Sequence, residues 1–259
     1  MNQEERRRFL IEELLQERPS CRRQEIPADT DRQKVLLRSL MNVRHPGAIS
    51  QRFLEVQDAY LQGELAAKKI TRLSELSPLQ NGIYLWRGDI TTLDCGAIVN
   101  AANSGMTGCY QPCHNCIDNC INTFAGVQLR LKCAEIMEQQ GYEEPTGQAK
   151  ITPAYNLPCD YVIHTVGPIV RGELTRQHCE LLKSCYRSCL ELADENNVGS
   201  IAFCCISTGI FMFPNDRAAE IAVQTVQEYK AETGSKIEVV FNVFKEQDER
   251  IYRKLLSAD

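Results

Sequence analysis

From about residue 83 onward the chain alternates two kinds of segment, and that alternation limits the folds open to it. Short runs rich in β-branched and aromatic residues recur at Ile83-Tyr84-Leu85-Trp86, Ala97-Ile98-Val99, Tyr161 to Val166, Ser200 to Ile206 and Ile237 to Phe244. Their apolar residues are consecutive, so both faces of the resulting strands must be covered. Helical spacing of apolar residues marks the segments around 118–140, 174–196, 215–232 and 246–256. Covered strands that alternate with helices specify an α/β domain with a largely parallel sheet. Residues 1–75 read differently. Phe9, Leu10, Leu14 and Leu15 form one helical stripe, Pro27-Ala28-Asp29-Thr30 starts a second helix running to Met41, and Phe53, Val56, Tyr60 and Leu61 mark a third. The expected organisation is a helical extension over 1–75 and an α/β domain over 76–259, divided near Ser77-Pro78-Leu79.

The balance of residues narrows the function classes. With 259 residues, 43% of them hydrophobic, the chain can build one full domain plus an extension. The formal charge of −5 is spread along the chain without a basic stripe, so nucleic acid is not expected as a partner. Met1 to Arg8 has no apolar core, and no apolar run approaches the ~18 residues of a membrane span. Thirteen cysteines in such a chain are expected to be reduced thiols in a cytoplasmic protein, most of them packing as small hydrophobes.

One group of cysteines stands apart. Cys109, Cys113, Cys116 and Cys120 fall with His114 inside the segment Gly108 to Ile121. Thiolate and imidazole suit Zn²⁺. The spacing alone allows a Cys113/Cys116 pair, a Cys116/Cys120 pair on one helical face, or a Cys109, His114 and Cys116 set. Pro112-Cys113-x-x-Cys116 has the form of a zinc-deaminase half-motif, but the upstream His-x-Glu or Cys-x-Glu is missing. His164, inside an apolar strand, is expected to be a hydrogen-bonded core residue.

Three further segments lie just after strands: Gly88-Asp89-Ile90-Thr91, Asn100 to Gly105, and Ser207-Thr208-Gly209-Ile210-Phe211. Open α/β sheets bind ligands at the carboxyl ends of their strands. A Ser-Thr-Gly turn before a helix offers amides and hydroxyls suited to a diphosphate.

Taken in order, Gly88-Asp89-Ile90-Thr91, Ile98 to Asn103, Pro145-Thr146-Gly147-Gln148-Ala149, Tyr161 to Pro168 and Ile206-Ser207-Thr208-Gly209 resemble the macrodomain family of ADP-ribose-binding proteins over about residues 80–258. With the cysteine-histidine segment and the helical preface, the chain is similar to the zinc-containing branch of that family. The resemblance implies a three-layer α/β/α fold with a mixed, largely parallel sheet. It implies a hydrolase that removes mono-ADP-ribose from proteins, from acidic side chains, with Cys109, His114 and Cys116 holding zinc. Asp89 is expected to take the adenine amino group, with Ile90 contributing backbone. Asn103 is expected to hold the distal ribose, and Ser207, Thr208, Gly209, Ile210 and Phe211 to wrap the diphosphate and that ribose. Asp118 and Asn103 are the expected catalytic residues, and Asn100 a brace. Genes of that branch often lie beside those of a sirtuin-type ADP-ribosyltransferase and a lipoyl-carrier protein, so the resemblance implies a lipoyl carrier as a partner and a functional link to such a transferase. A non-catalytic reader with a structural zinc shares the same pocket, as does an enzyme acting on small ADP-ribose phosphoesters. Two departures are visible. The usual glycine run before the acid is replaced by the cysteine-histidine segment, leaving Gly105 and Gly108. Met212 stands where glycine is usual, although a positive φ costs methionine more than glycine.

Overall fold

The computed structural model describes residues 1–18 and 25–257. Helices α1 (Gln3–Gln16), α2 (Thr30–Val43) and α3 (Gln51–Ala66) form the extension. Each starts on a side-chain cap: Asn2, Asp29 and Ser50 accept a backbone N–H of the first turn. The apolar stripes meet in a second core that contains Leu10, Leu14, Leu37, Leu40, Met41, Phe53, Val56 and Tyr60 and is joined by Val127 of the α/β domain. Each buried aliphatic side chain there is worth about 1.5–3 kcal/mol.

The remaining elements are β1 (Thr71–Arg72), β2 (Ile83–Arg87), β3 (Leu93–Asp94), β4 (Ala97–Ala102), α4 (Ile117–Ala125), α5 (Val127–Gln140), β5 (Ala149–Pro153), β6 (Tyr161–Val166), α6 (Arg176–Glu195), β7 (Ser200–Phe203), α7 (Asn215–Thr233), β8 (Glu238–Val243) and α8 (Glu246–Leu256). The main sheet is six-stranded in the order β2-β8-β7-β4-β6-β5. All its pairings are parallel except β5 with β6. Helices on both faces bury strands that are mostly apolar, as in Ile98, Val99, Ile163, Ile201, Val239 and Val240. Because β2, β4, β6, β7 and β8 run the same way, the loops that follow them gather at one sheet edge.

Three differences from the sequence reading have local causes. The helix expected over 118–140 is broken into α4 and α5 at Gly126, whose φ is +98°. A Cβ there would lie 2.6 Å from Gln57 Nε2 of α3, and Gln57 Oε1 accepts the Val127 N–H at 3.0 Å, capping α5. The strand expected through Ile206 ends at Phe203. Edge strand β5 was not anticipated. Its only neighbour in the sheet is β6, and it ends on Pro153, which an edge tolerates.

Candidate functional site

Asp89 sits at the turn leaving β2. Its Oδ1 accepts the Thr91 N–H at 3.0 Å and the Thr91 hydroxyl at 2.7 Å, while Oδ2 lies 3.8 Å from Lys68 Nζ. The turn is fixed from β8, where Asn242 Nδ2 donates to Gly88 O at 3.0 Å and Val243 O accepts the Gly88 N–H at 3.1 Å. Ile90 is buried, so only its backbone is available. Immediately after β8, beside this turn, Phe244 is 79% exposed. An aromatic ring left in water next to a carboxylate acceptor is a platform for a heteroaromatic base. The apolar run Ile237 to Phe244 predicts a strand through Phe244, but β8 ends at Val243. The signal that could have found it is its position one residue beyond the run that must be buried.

The loop after β7 is bent by residues other than glycine. Ser207 and Met212 have φ of 64° and 58°. The Phe213 N–H bonds to Ser207 O and the Met212 N–H to Gly209 O, both at 3.0 Å, while Thr208 Oγ1 donates to Cys205 O. The glycine-like conformation at Met212 is therefore adopted despite the side chain, which stands 73% exposed. Among the described residues, the amides of Gly209, Ile210 and Phe211 donate to no protein acceptor. Consecutive unspent amides form a concavity for anionic oxygens. Ser207 Oγ is buried without a partner among the described residues, and it packs against Gly167 at the end of β6.

Asn103 is exposed at the end of β4. Its Oδ1 accepts the Gly105 N–H at 3.0 Å and its Nδ2 donates to Gly108 O at 3.1 Å, so the side chain shapes the loop that leads to the cysteine-histidine segment. Asn100 is fully buried and donates from Nδ2 to Asp118 Oδ1 at 2.8 Å, a brace. Asn122 Nδ2 also donates to Asp118 Oδ1, at 3.1 Å, and sequence reasoning missed it. Burial pushes the Asp118 carboxyl up to about 6, although hydrogen bonds from Asn100, Asn122 and the Cys109 amide and the charge of Arg130 pull it down. Asp118 lies in the first turn of α4, which adds the helix dipole in favour of its anion.

Cys109, His114 and Cys116 converge. Their ligand atoms all lie within 4.8 Å of one another, and no other such group of three occurs among the described residues. Cys109 Sγ is 3.5 Å from His114 Nδ1. A tetrahedral ion with ordinary zinc–sulfur and zinc–nitrogen bonds spaces a sulfur and a nitrogen by about 3.6 Å, which the Cys109–His114 separation matches. Two thiols and one imidazole are also the soft donors zinc prefers. Cys116 is the N-cap of α4, and burial pushes its thiol up to about 12, so it stays protonated unless a cation lies against it. The other two cysteines of the segment are engaged elsewhere: Cys113 Sγ donates to Val35 O at 3.5 Å, and Cys120 Sγ accepts from Arg38 at 3.7 Å.

A six-stranded mixed sheet with this ring of strand-end loops is shared with known proteins. The Macro domain profile matches residues 99–222. The chain is 63% identical over 261 residues to the protein-ADP-ribose hydrolase of Treponema medium, covering 99% of this chain and 100% of that one. It is 49% identical to the protein-ADP-ribose hydrolase of Staphylococcus aureus strain MSSA476, covering 97% and 95%. Among solved structures, the Trypanosoma brucei macrodomain in complex with ADP-ribose superposes with a TM-score of 0.66 at 29% identity, covering 84% of this chain and 94% of that one. The chain belongs to the macrodomain family.

Proposed function

We propose that this chain is a zinc-dependent hydrolase that releases mono-ADP-ribose from modified proteins, acting on esters of acidic side chains. The observation that carries the reading is the gathering of a soft three-donor set, the Asp89 carboxylate and an amide-rich turn at one end of a macrodomain sheet. The activity of the relatives named above supports it.

In this reading Asp89 Oδ2 accepts the adenine amino group while the base rests on Phe244. The amides of Gly209, Ile210 and Phe211 receive the diphosphate, and Ser207 and Thr208 supply hydroxyls beside it. Asn103 and the loop it shapes hold the distal ribose. Asp118 takes up a proton or orients the sugar, a role suited to a carboxyl raised toward neutrality by burial. Cys109, His114 and Cys116 would hold zinc, which when bound supplies Lewis acidity at an open coordination position. A lipoyl-carrier protein modified by a sirtuin-type transferase is the first substrate to try, in the cytoplasm.

The test combines zinc content with turnover of a protein mono-ADP-ribosylated on acidic side chains, with and without chelator. One zinc per chain and chelator-sensitive release are expected, with release abolished in Cys116→Ala and His114→Ala. Full turnover in both metal-free variants would refute the zinc dependence. Tight ADP-ribose binding without release from any modified protein would favour a reader module instead.

A further inference from the structure

We propose that α2 of the extension is the scaffold of the metal loop, with Arg38 and Asn42 as positioning residues that hold the backbone on either side of His114. This rests on reading Cys109, His114 and Cys116 as a zinc site.

Arg38 and Asn42 are four residues apart, so they share a helix face. Arg38 Nη2 donates to His114 O at 2.8 Å. Asn42 Oδ1 accepts the Cys113 N–H at 2.9 Å. The amide entering Cys113 and the carbonyl leaving His114 are thus both bonded to one rigid helix. The direction of the imidazole follows from the short stretch of backbone between them. Asn42 is 1% exposed and spends its other end on Thr123 Oγ1 at 2.9 Å, so it is a fully paired buried amide rather than a rim contact.

The backbone at this point needs holding. Cys113 has a φ of 53°, a left-handed conformation that a residue with a Cβ keeps only when its surroundings impose it. Inside the loop, the one backbone hydrogen bond among the described residues is His114 N–H to Gln111 O at 3.3 Å. From α4, Asn119 Nδ2 donates to Gln111 O at 3.0 Å and more weakly to Cys109 O at 3.4 Å. Asn119 is itself propped by Arg38, whose Nη2 reaches its Oδ1 at 3.2 Å. Just beyond α2, His45 stacks on Tyr110 with ring centroids 4.8 Å apart. A helix that merely covered the sheet would present apolar residues to it. Here Leu37, Leu40 and Met41 turn into the core between the three N-terminal helices, which Val127 joins, and Arg38 and Asn42 of α2 meet the loop.

The experiment measures zinc affinity of the purified full chain by competition with a chromophoric chelator. It also follows amide hydrogen exchange at Cys113 in the metal-free protein. Arg38→Ala and Asn42→Ala are compared with Gln33→Ala. Gln33 is buried on the same helix but bonds Arg7 and Pro27 O, away from the loop. Arg38→Met, which keeps the aliphatic stem and removes the donors, serves if truncation unfolds the chain. Loss of zinc affinity of about 10–100-fold in the Arg38 and Asn42 variants, with Gln33→Ala unchanged, is expected from the usual effect of removing a residue that orients a ligand. Faster exchange at Cys113 in Asn42→Ala is expected as well. Unchanged affinity in both, or equal loss in Gln33→Ala, overturns the scaffold role. A folded wild type that binds no zinc overturns the metal reading instead. In that case, unaltered exchange at Cys113 in Asn42→Ala overturns the scaffold separately.

Discussion

His164 offers a measurable consequence of burying a titratable group in the sheet. It is fully buried on β6 directly across from Asn100 on β4. Asn100 Nδ2 lies 3.1 Å from Nδ1 and Thr152 Oγ1 2.9 Å from Nε2. An amide nitrogen only donates, so Nδ1 is the acceptor and the proton sits on Nε2, facing the threonine hydroxyl. Burial lowers the imidazole from 6.5 to about 4. The folded state therefore binds fewer protons here than the unfolded chain, and stability falls as pH falls from about 6.5 toward about 4. The loss amounts to about 2 kcal/mol at about pH 5 and about 3 kcal/mol at about pH 4. Asp118 runs the other way, because its raised carboxyl favours the fold once protonated. A difference measurement removes that opposing contribution. Replacing His164→Asn keeps an acceptor toward Asn100 and abolishes the titration. Urea unfolding of both metal-free proteins should give a stability gap that is largest near neutrality. The gap should close by about 2 kcal/mol by about pH 5. A gap that stays constant across this range would mean that His164 is reached by water or protonated in the native state, and the reasoning would fail.

Other substitutions test the loops at the strand ends. Phe244→Ala should weaken ADP-ribose binding by about 1–3 kcal/mol, the usual worth of one stacked base, and leave the unfolding midpoint alone; unchanged affinity by calorimetry would remove Phe244 from the site. Gly167→Ala puts a Cβ 2.1 Å from Ser207 Oγ, so it should cost about 1–3 kcal/mol of stability and disturb the Ser207–Phe211 turn. Full stability together with wild-type ADP-ribose affinity would contradict that crowding. Met212→Gly should change stability by less than about 1 kcal/mol, because relief of the left-handed strain offsets the greater freedom of unfolded glycine. A loss beyond about 2 kcal/mol in chemical denaturation would show that the exposed methionine packs more than its surface position suggests.

The parts of the fold that the sequence made legible are those specified by runs of neighbours. Consecutive apolar residues at Ile98-Val99 and Val239-Val240 require cover on both faces, and that requirement yields the parallel sheet. Asp29 followed by the Leu37, Leu40 and Met41 stripe gives α2 and its start. The Cys109, His114 and Cys116 set converges, but spacing alone left two other pairings open and only the family resemblance chose among them. What escaped depends on contacts between distant segments. Glycine is required at the break at 126 because its φ is +98° and the side chains of Gln128 and of Gln57 from α3 fill the space a Cβ would take. Arg38 and Asn42 meet the loop across separations of 76 and 71 residues, so no local pattern announces them. Phe244 was hidden by its company, since an aromatic at the end of an apolar strand looks like the strand.

The two departures from the ordinary macrodomain pattern have a common physical consequence. A glycine run lets backbone enter left-handed conformations at almost no steric cost. Between Asn103 and Asp118 this chain makes such turns at Met106, Gly108 and Cys113, only one of which is glycine. Each of the other two costs about 1–2 kcal/mol unless the surroundings impose it. Met106 is offset by burial, at 2% exposure, against Ala102, Cys133 and Val166. Among the described residues the Cys113 thiol bonds the Val35 carbonyl alone, and its amide is held by Asn42. Replacing glycine by metal ligands thus moves the burden of shaping the loop from the loop's own residues to its neighbours. The neighbour that bears it at Cys113 is α2. On this argument the helical extension and the cysteine-histidine segment form one functional unit, and removal of residues 1–75 should damage the loop before it damages the sheet.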